Sequence, residues 1–317
     1  MTARSRETGT EDPGRREALR RIAAAMAAVG LGRTVPGWAQ APPPVAMLTR
    51  PIPSSGERLP VIGIGTWQTF DVGRDPNARA QLREVLDSFG RGGGKVVDSS
   101  PMYGTSEEVV GNLAGALKLR PRLFLATKVW TSGRQRGIDQ MNASMRKLRA
   151  DPIDLMQVHN LLDVTTHLET LRAWKGEGRV RYIGVTHYTA SSYDAVAAVL
   201  ERERLDFVQI NYSIGERESE RKVLPLAADR GVAVIANRPF AGGDLFRRLR
   251  ARPLPDYASE IGCTSWAQLM LKFIVSHPAI TCAIPGTSKV EHLRDNLKAG
   301  EGALPDERMR ARIAAEV

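Results

Sequence analysis

LFLATKVWTSGRQRGIDQMNASMRKLRADPIDLMQVH (123–159) reads as strand, helix, strand. LFLATKV (123–129) and IDLMQVH (153–159) are short apolar runs, and IDQMNASMRKLRA (138–150) between them is an amphipathic helical window. The unit recurs in both directions. Further apolar runs stand at VIGIG (61–65), VVD (96–98), RYIGV (181–185), FVQINY (207–212), VAVIA (232–236) and TCAIP (281–285). Other helical windows are ARAQLREVLDSFG (78–90), SYDAVAAVLERER (192–204) and TSWAQLMLKFIVSH (264–277), the last with Thr264 and Gln268 near capping positions and Pro278 beyond its end. Strands alternating with helices argue a parallel sheet, and eight such units close into a (β/α)8 barrel. A doubly wound open sheet is the competing fold, but no strand–GxGxxG–helix fingerprint is present. GIGTW (63–67) has two glycines and no helical pattern behind it.

The rest of the 317-residue chain divides around this barrel, expected over 61–317 as a single domain. Residues 40–60 are a Pro-rich linker with a turn at SSGE, read as a hairpin closing one barrel end. Residues 1–39 carry paired arginines in GRREALR (14–20), a weakly apolar run IAAAMAAVGLG (22–32) and a small-residue segment VPGWAQA (35–41). Charged, apolar and small regions in that order describe a secretory signal, and the apolar run is too short to span a bilayer, so no stable membrane insertion is expected. Arg15, Arg16, Leu19 and Arg20 resemble a twin-arginine signal, with Ala18 where such signals favour Phe. A disordered basic leader is the alternative. The resemblance implies the twin-arginine export machinery as a partner, a periplasmic or exported location, and cleavage after Ala39 or, less favoured because Pro42 follows, after Ala41.

Composition narrows the function class. Hydrophobic content of 42% and charged content of 25% suit a soluble globular protein. Seven Arg against four acids put +3 of the net +10 on residues 1–41, leaving +7 beyond them. Those cations are scattered among acids without interleaved aromatics, so nucleic acid is not an expected partner. A mild positive field suits a phosphorylated small ligand. Cys263 and Cys282 form no C-x-x-C, and the five histidines no H-E-x-x-H, so neither a disulfide framework nor a metal site is expected.

Polar groups at the C-terminal strand ends of such a barrel are candidates for chemistry. Asp98 ends the second strand, Lys128 nearly ends the third, His159 ends the fourth, and Tyr103 follows on the loop after Asp98. Neighbouring strands lie about 4.8 Å apart, which gathers all four at one rim. Lys128 compensates Asp98, its ammonium is expected to lower the phenol pKa of Tyr103, and His159 can hold a substrate oxygen. That makes Tyr103 a general acid for a carbonyl oxygen. Taken singly, each residue is as readily a solvated Lys, a core Tyr or a satisfied His.

Asp98 followed by PMYG (101–104), ATKVW (126–130) and QVHN (157–160) resemble the Asp-Tyr-Lys-His tetrad of the aldo-keto reductases, and the likeness runs from GIGTW to IPGTSKVEHLRDNL (284–297). The resemblance implies a (β/α)8 barrel, a nicotinamide cofactor bound without a Rossmann domain, and reduction of an aldehyde or ketone by a monomer. NADPH is the cofactor it implies, with NADH the alternative. It places Thr186, His187 and Gln209 on the nicotinamide carboxamide, and Asn237 where the family has a stacking ring, with Arg238 available to the pyrophosphate. Gly286, Thr287, Ser288, Lys289, Asp295 and Asn296 would cradle the adenosine phosphate, Gly286 and His292 replacing two cations for which Lys289 and Arg294 stand in. Trp67 and Trp130 match substrate-pocket walls and read equally as core aromatics. A second reading is an exported NADP(H)-binding redox sensor with little turnover: the intact tetrad argues for catalysis, Asn237 and export for sensing.

Overall fold

A computed structural model describes residues 46–317; the leader expected at 1–39 lies outside the described residues. The chain there opens with an antiparallel hairpin, β1 (Thr49–Pro51) and β2 (Arg58–Pro60). The alternation then runs β3 (Ile64–Gly65), α1 (Pro76–Arg91), β4 (Val96–Asp98), α2 (Ser106–Ala116), β5 (Phe124–Val129), α3 (Arg134–Leu148), β6 (Ile153–His159) and α4 (Val164–Gly176). It continues through β7 (Val180–Thr186), α5 (Tyr193–Arg202), β8 (Phe207–Asn211), α6 (Val223–Asp229), β9 (Ala233–Asn237), α7 (Asp244–Leu249), α8 (Trp266–Ser276), β10 (Ile280–Ala283), α9 (Val290–Lys298) and α10 (Glu307–Ala314).

Strands β3 to β10 pair in sequence order, all parallel. A parallel bridge between Ile62 and Ala283, with the Gly63 amide donating to Ala283 O at 2.8 Å, carries β10 back onto the segment entering β3. That seam makes the sheet a (β/α)8 barrel and removes the open-sheet alternative.

Local chemistry sets the element ends. Asp75 caps α1, its Oδ1 accepting from the Asn77 amide at 2.9 Å, and Pro76 takes the first turn, where its missing N–H costs nothing. The cap of α8 is Ser265 and not Thr264: Ser265 Oγ accepts from the Gln268 amide, and Gln268 Oε1 accepts from the Thr264 amide at 2.9 Å.

The hairpin plugs the N-terminal barrel end. Ile52 and Leu59 are buried in the interior cluster with Val96, Phe124, Tyr182 and Phe207. Each such side chain taken from water contributes about 1.5–3 kcal/mol. Arg50 fastens β1 to the chain before β10, donating to Val275 O and Pro278 O at 2.8 and 2.6 Å. The interior therefore ends in packed hydrocarbon at one end, and its polar groups lie at the other. Cys263 and Cys282 are both buried and free. Among the described residues no helix is long and apolar enough to cross a membrane.

Candidate active site

Strand alternation decides which side chains enter the barrel. Leu155 belongs to the interior cluster, so Gln157 and His159 share its face; Ala126 brings Lys128 with it, and Val96 brings Asp98. Hydrocarbon at the strand starts thus gives way to polar groups at their C-terminal ends. Lys128 is fully buried and Asp98 is 2% exposed. Lys128 Nζ donates to Asp98 Oδ2 at 2.6 Å and to Ser99 O at 2.7 Å. Asp98 Oδ1 accepts from Gln209 Nε2 at 2.8 Å and from Gln157 Nε2 at 3.2 Å. A buried ion pair is tolerable when further hydrogen bonds satisfy both partners, and here they do.

Tyr103 sits on the loop after β4. The Tyr103 amide bonds Ser100 O, and Asp71 holds the far side of the loop by accepting from the Thr105 amide and hydroxyl, both at 2.8 Å. Gly104 between them has φ 57° and lies so close to Asp71 that a Cβ would sit 2.2 Å from its carboxylate, so only Gly fits. This turn lays the Tyr103 ring 5.0 Å from Lys128 Nζ and edge-on to His159, centroids 6.2 Å apart.

The electrostatics follow. Burial alone would depress Lys128, but the Asp98 carboxylate and Tyr103 outweigh it and hold the ammonium above the usual lysine range. For Tyr103, burial pushes the phenol up, Lys128 pulls it down, and burial wins. This corrects the expectation of a lowered phenol pKa, which weighed the cation and left out desolvation. His159 is driven down to about 3 by burial, then by the charges of Lys128 and His187, so its imidazole is neutral at physiological pH.

These groups open into a cavity of about 570 Å³. Its floor includes Asp98, Tyr103, His159, Thr186, Gln209 and Asn237. The exposed large apolar side chains of the described chain, Trp67, Met102, Trp130, Tyr188 and Phe246, all line it. Apolar surface gathered around one mouth marks a binding site. Trp67 and Trp130 are therefore cavity walls and not core aromatics.

The aldo/keto reductase family model matches residues 61–315. This chain belongs to that family. The aldo/keto reductase is 29% identical over 249 residues to a methylglyoxal reductase of Escherichia coli, 75% of this chain and 84% of that one. It is 26% identical over 298 residues to an NADP-dependent D-sorbitol-6-phosphate dehydrogenase of Malus domestica, covering 81% and 90%. An aldo/keto reductase of Klebsiella pneumoniae, solved with NADP and acetate, superposes with a TM-score of 0.67 at 25% identity over 82% of this chain and 92% of that one.

The cofactor-facing expectations fare unevenly in this aldo/keto reductase. Thr186, Gln209, Asn237, Arg238 and Gly286 line the cavity. His187 does not: its Nδ1 accepts from the Thr189 amide at 3.3 Å, its ring stacks on Tyr188, and the next residue, Tyr188, takes the cavity position. Asp295 is also engaged within the fold. Its carboxylate accepts from Ser265 Oγ and Gln268 Nε2, both at 2.6 Å, and is spent on the start of α8. Thr287 Oγ1 accepts from the Lys289 amide at 3.1 Å, Ser288 O from Gln81, and Asn296 is buried; none of these, nor Lys289, lines the described cavity. Thr287, Ser288 and Lys289 precede α9, and Asp295 and Asn296 lie within it.

Proposed function

We propose that this aldo/keto reductase reduces an aldehyde or ketone using NADPH, with Tyr103 as the general acid, on a carbonyl substrate with an apolar body. The observation that carries the reading is the buried Lys128–Asp98 pair beside Tyr103 at the floor of an apolar-rimmed cavity. Family membership supports carbonyl reduction, and the Klebsiella pneumoniae relative solved with NADP supports the cofactor.

The residues present fit such a cofactor. Asn160 Oδ1, Asn237 Oδ1 and Arg238 Nε are buried without hydrogen-bond partners among the described residues, and all three residues line the cavity. Buried polar atoms left unpaired call for a ligand. Thr186, Gln209 and Asn237 would hold the nicotinamide end, Arg238 the pyrophosphate, and the segment from Gly286 to Lys289 the adenosine phosphate. When bound, the cofactor would supply a hydride to the carbonyl carbon. Tyr103 donates its phenolic proton to the carbonyl oxygen, and its raised pKa keeps that proton in place through neutral pH. Lys128 stabilises the phenolate left behind, Asp98 keeps Lys128 charged, and neutral His159 holds the oxygen in place. Trp67, Trp130 and Tyr188 strip water from the rest of the substrate.

Following nicotinamide absorbance with NADPH and a panel of aldehydes and ketones tests the reading. Turnover is expected, with kcat/KM higher for aromatic carbonyls than for methylglyoxal or phosphorylated sugars. No turnover with any carbonyl, alongside tight NADPH binding, would favour the sensor.

Two substitutions separate the parts of the cofactor. Arg238→Met is expected to weaken NADPH and NADH alike, by about 10-fold or more, since a hydrogen bond to a charged group is worth about 1.5–3 kcal/mol. Lys289→Ala is expected to weaken NADPH several-fold more than NADH. Fluorescence titration of both nucleotides checks the pattern, and an Arg238→Met protein that binds both normally removes Arg238 from the pyrophosphate.

A further inference from the structure

Ser100, on the loop after β4, meets His159, at the end of β6, across the end of β5 that lies between them. Ser100 Oγ lies 3.3 Å from His159 Nδ1, and Ser100 is fully buried. Either atom could donate across that contact, so the surroundings decide. The Met102 amide already donates to Ser100 Oγ at 3.3 Å. Among the described residues that hydroxyl makes no other hydrogen bond. If Nδ1 carried the ring proton and donated to Ser100, the hydroxyl hydrogen would be buried with nothing to bond. If Ser100 donates, every group is satisfied: Oγ accepts from Met102, its proton goes to Nδ1, and the ring proton moves to Nε2. Buried donors are paired in folded proteins, which selects the second arrangement.

We infer that Ser100 is a positioning residue that sets the tautomer of His159, so that Nε2–H faces the cavity as a hydrogen-bond donor. Nδ1 is taken, and His159 lines the cavity, so Nε2 is the nitrogen left for a ligand. The charged and aromatic neighbours agree with this. Lys128 disfavours a charged imidazole. Tyr103 and Trp130 meet the ring at 6.2 and 6.3 Å between centroids, and Ser100 is its hydrogen-bond partner among the described residues. A carbonyl oxygen can only accept. The opposite tautomer would present it with a lone pair, and the neutral ring would repel the oxygen it should orient. The catalytic part of this inference rests on the proposed carbonyl reduction; the tautomer itself does not.

The test reads the two parts separately. In protein labelled with ¹⁵N, long-range proton–nitrogen spectra distinguish the ring nitrogens, and His159→Asn assigns the signals among the five histidines. The folded wild type is expected to show protonated Nε2 and bare Nδ1 on His159. Ser100→Ala should shift His159 toward the Nδ1–H form and lower kcat/KM on the order of 10-fold, the scale of one lost hydrogen bond. Ser100→Thr keeps the hydroxyl and should restore both readouts; should it fail to fold, wild type and Ser100→Ala decide alone. A purely structural role for Ser100 would lower Tm in Ser100→Ala and leave the tautomer unchanged. Protonated Nδ1 in the wild type, or an unaltered His159 spectrum in Ser100→Ala, overturns the inference. Wild type inactive on every carbonyl, with the expected tautomer intact, counts against the reduction and leaves Ser100 in its assigned role.

Discussion

Tyr103→Phe is expected to lower the reductive kcat at least about 100-fold, the scale on which a positioned general acid contributes, while NADPH affinity and Tm stay close to wild type. The substitution deletes one hydroxyl and keeps the ring, and the ring is what packs edge-on to His159 and over Lys128. Loss of kcat without loss of nucleotide binding separates proton donation from site assembly. The pH dependence follows from the raised phenol pKa. An acid acts only while protonated, so the wild-type reductive rate is expected to hold level through neutral pH and fall only on the alkaline side. His159, neutral down to about 3, adds no break near neutrality. Steady-state assays across pH check both statements, and near-normal turnover in Tyr103→Phe would falsify the mechanism.

The barrel was legible because its strands end abruptly. VVD and IDLMQVH match β4 and β6 to the residue, each an apolar run closed by a charged or polar group at the rim. Helix α2 gave a weaker signal, because Gly111 and Gly115 dilute its pattern. Gly111 is there for packing: a Cβ would lie 2.0 Å from Lys147 O on α3. The tetrad could be read for the same reason as the strands, since Asp98, Lys128 and His159 stand at or near the ends of successive strands and Tyr103 follows on the loop after the first of them. Its support could not. Gln157 was visible in principle, two residues before His159 and hence on the same face, but Gln209 reaches Asp98 across 111 positions of sequence. For His187 the same alternation rule applies: Thr186 points inward, so its neighbour points away. Asp295 has a long-range partner, Ser265, which no local pattern announces. The sign of the Tyr103 shift needed burial, a tertiary quantity.

Lys128→Met carries the largest expected cost in stability, because it strands a charge. Asp98, at 2% exposure, would keep Gln157 and Gln209 as donors but lose the one cation paired with it among the described residues. Breaking a buried pair from one side costs about 3–5 kcal/mol. At about 2–4 °C per kcal/mol for a large domain, Tm should fall by about 6–20 °C. The stranded carboxyl can escape by binding a proton, so its folded pKa should rise above the unfolded value. A group shifted that way contributes stability at low pH and loses it as pH rises through the folded pKa. The Tm deficit of Lys128→Met should therefore be greatest at neutral and alkaline pH and shrink in acid. Adding Asp98→Asn removes the charge altogether. The double variant should regain most of the lost Tm and lose its pH dependence, yet stay inactive, because nothing then stabilises the Tyr103 phenolate. Calorimetry of the three proteins at acid and neutral pH, with turnover measured on each, checks the cycle. A double variant as unstable as Lys128→Met would mean that the lysine stem, and not the ion pair, holds this end of the barrel.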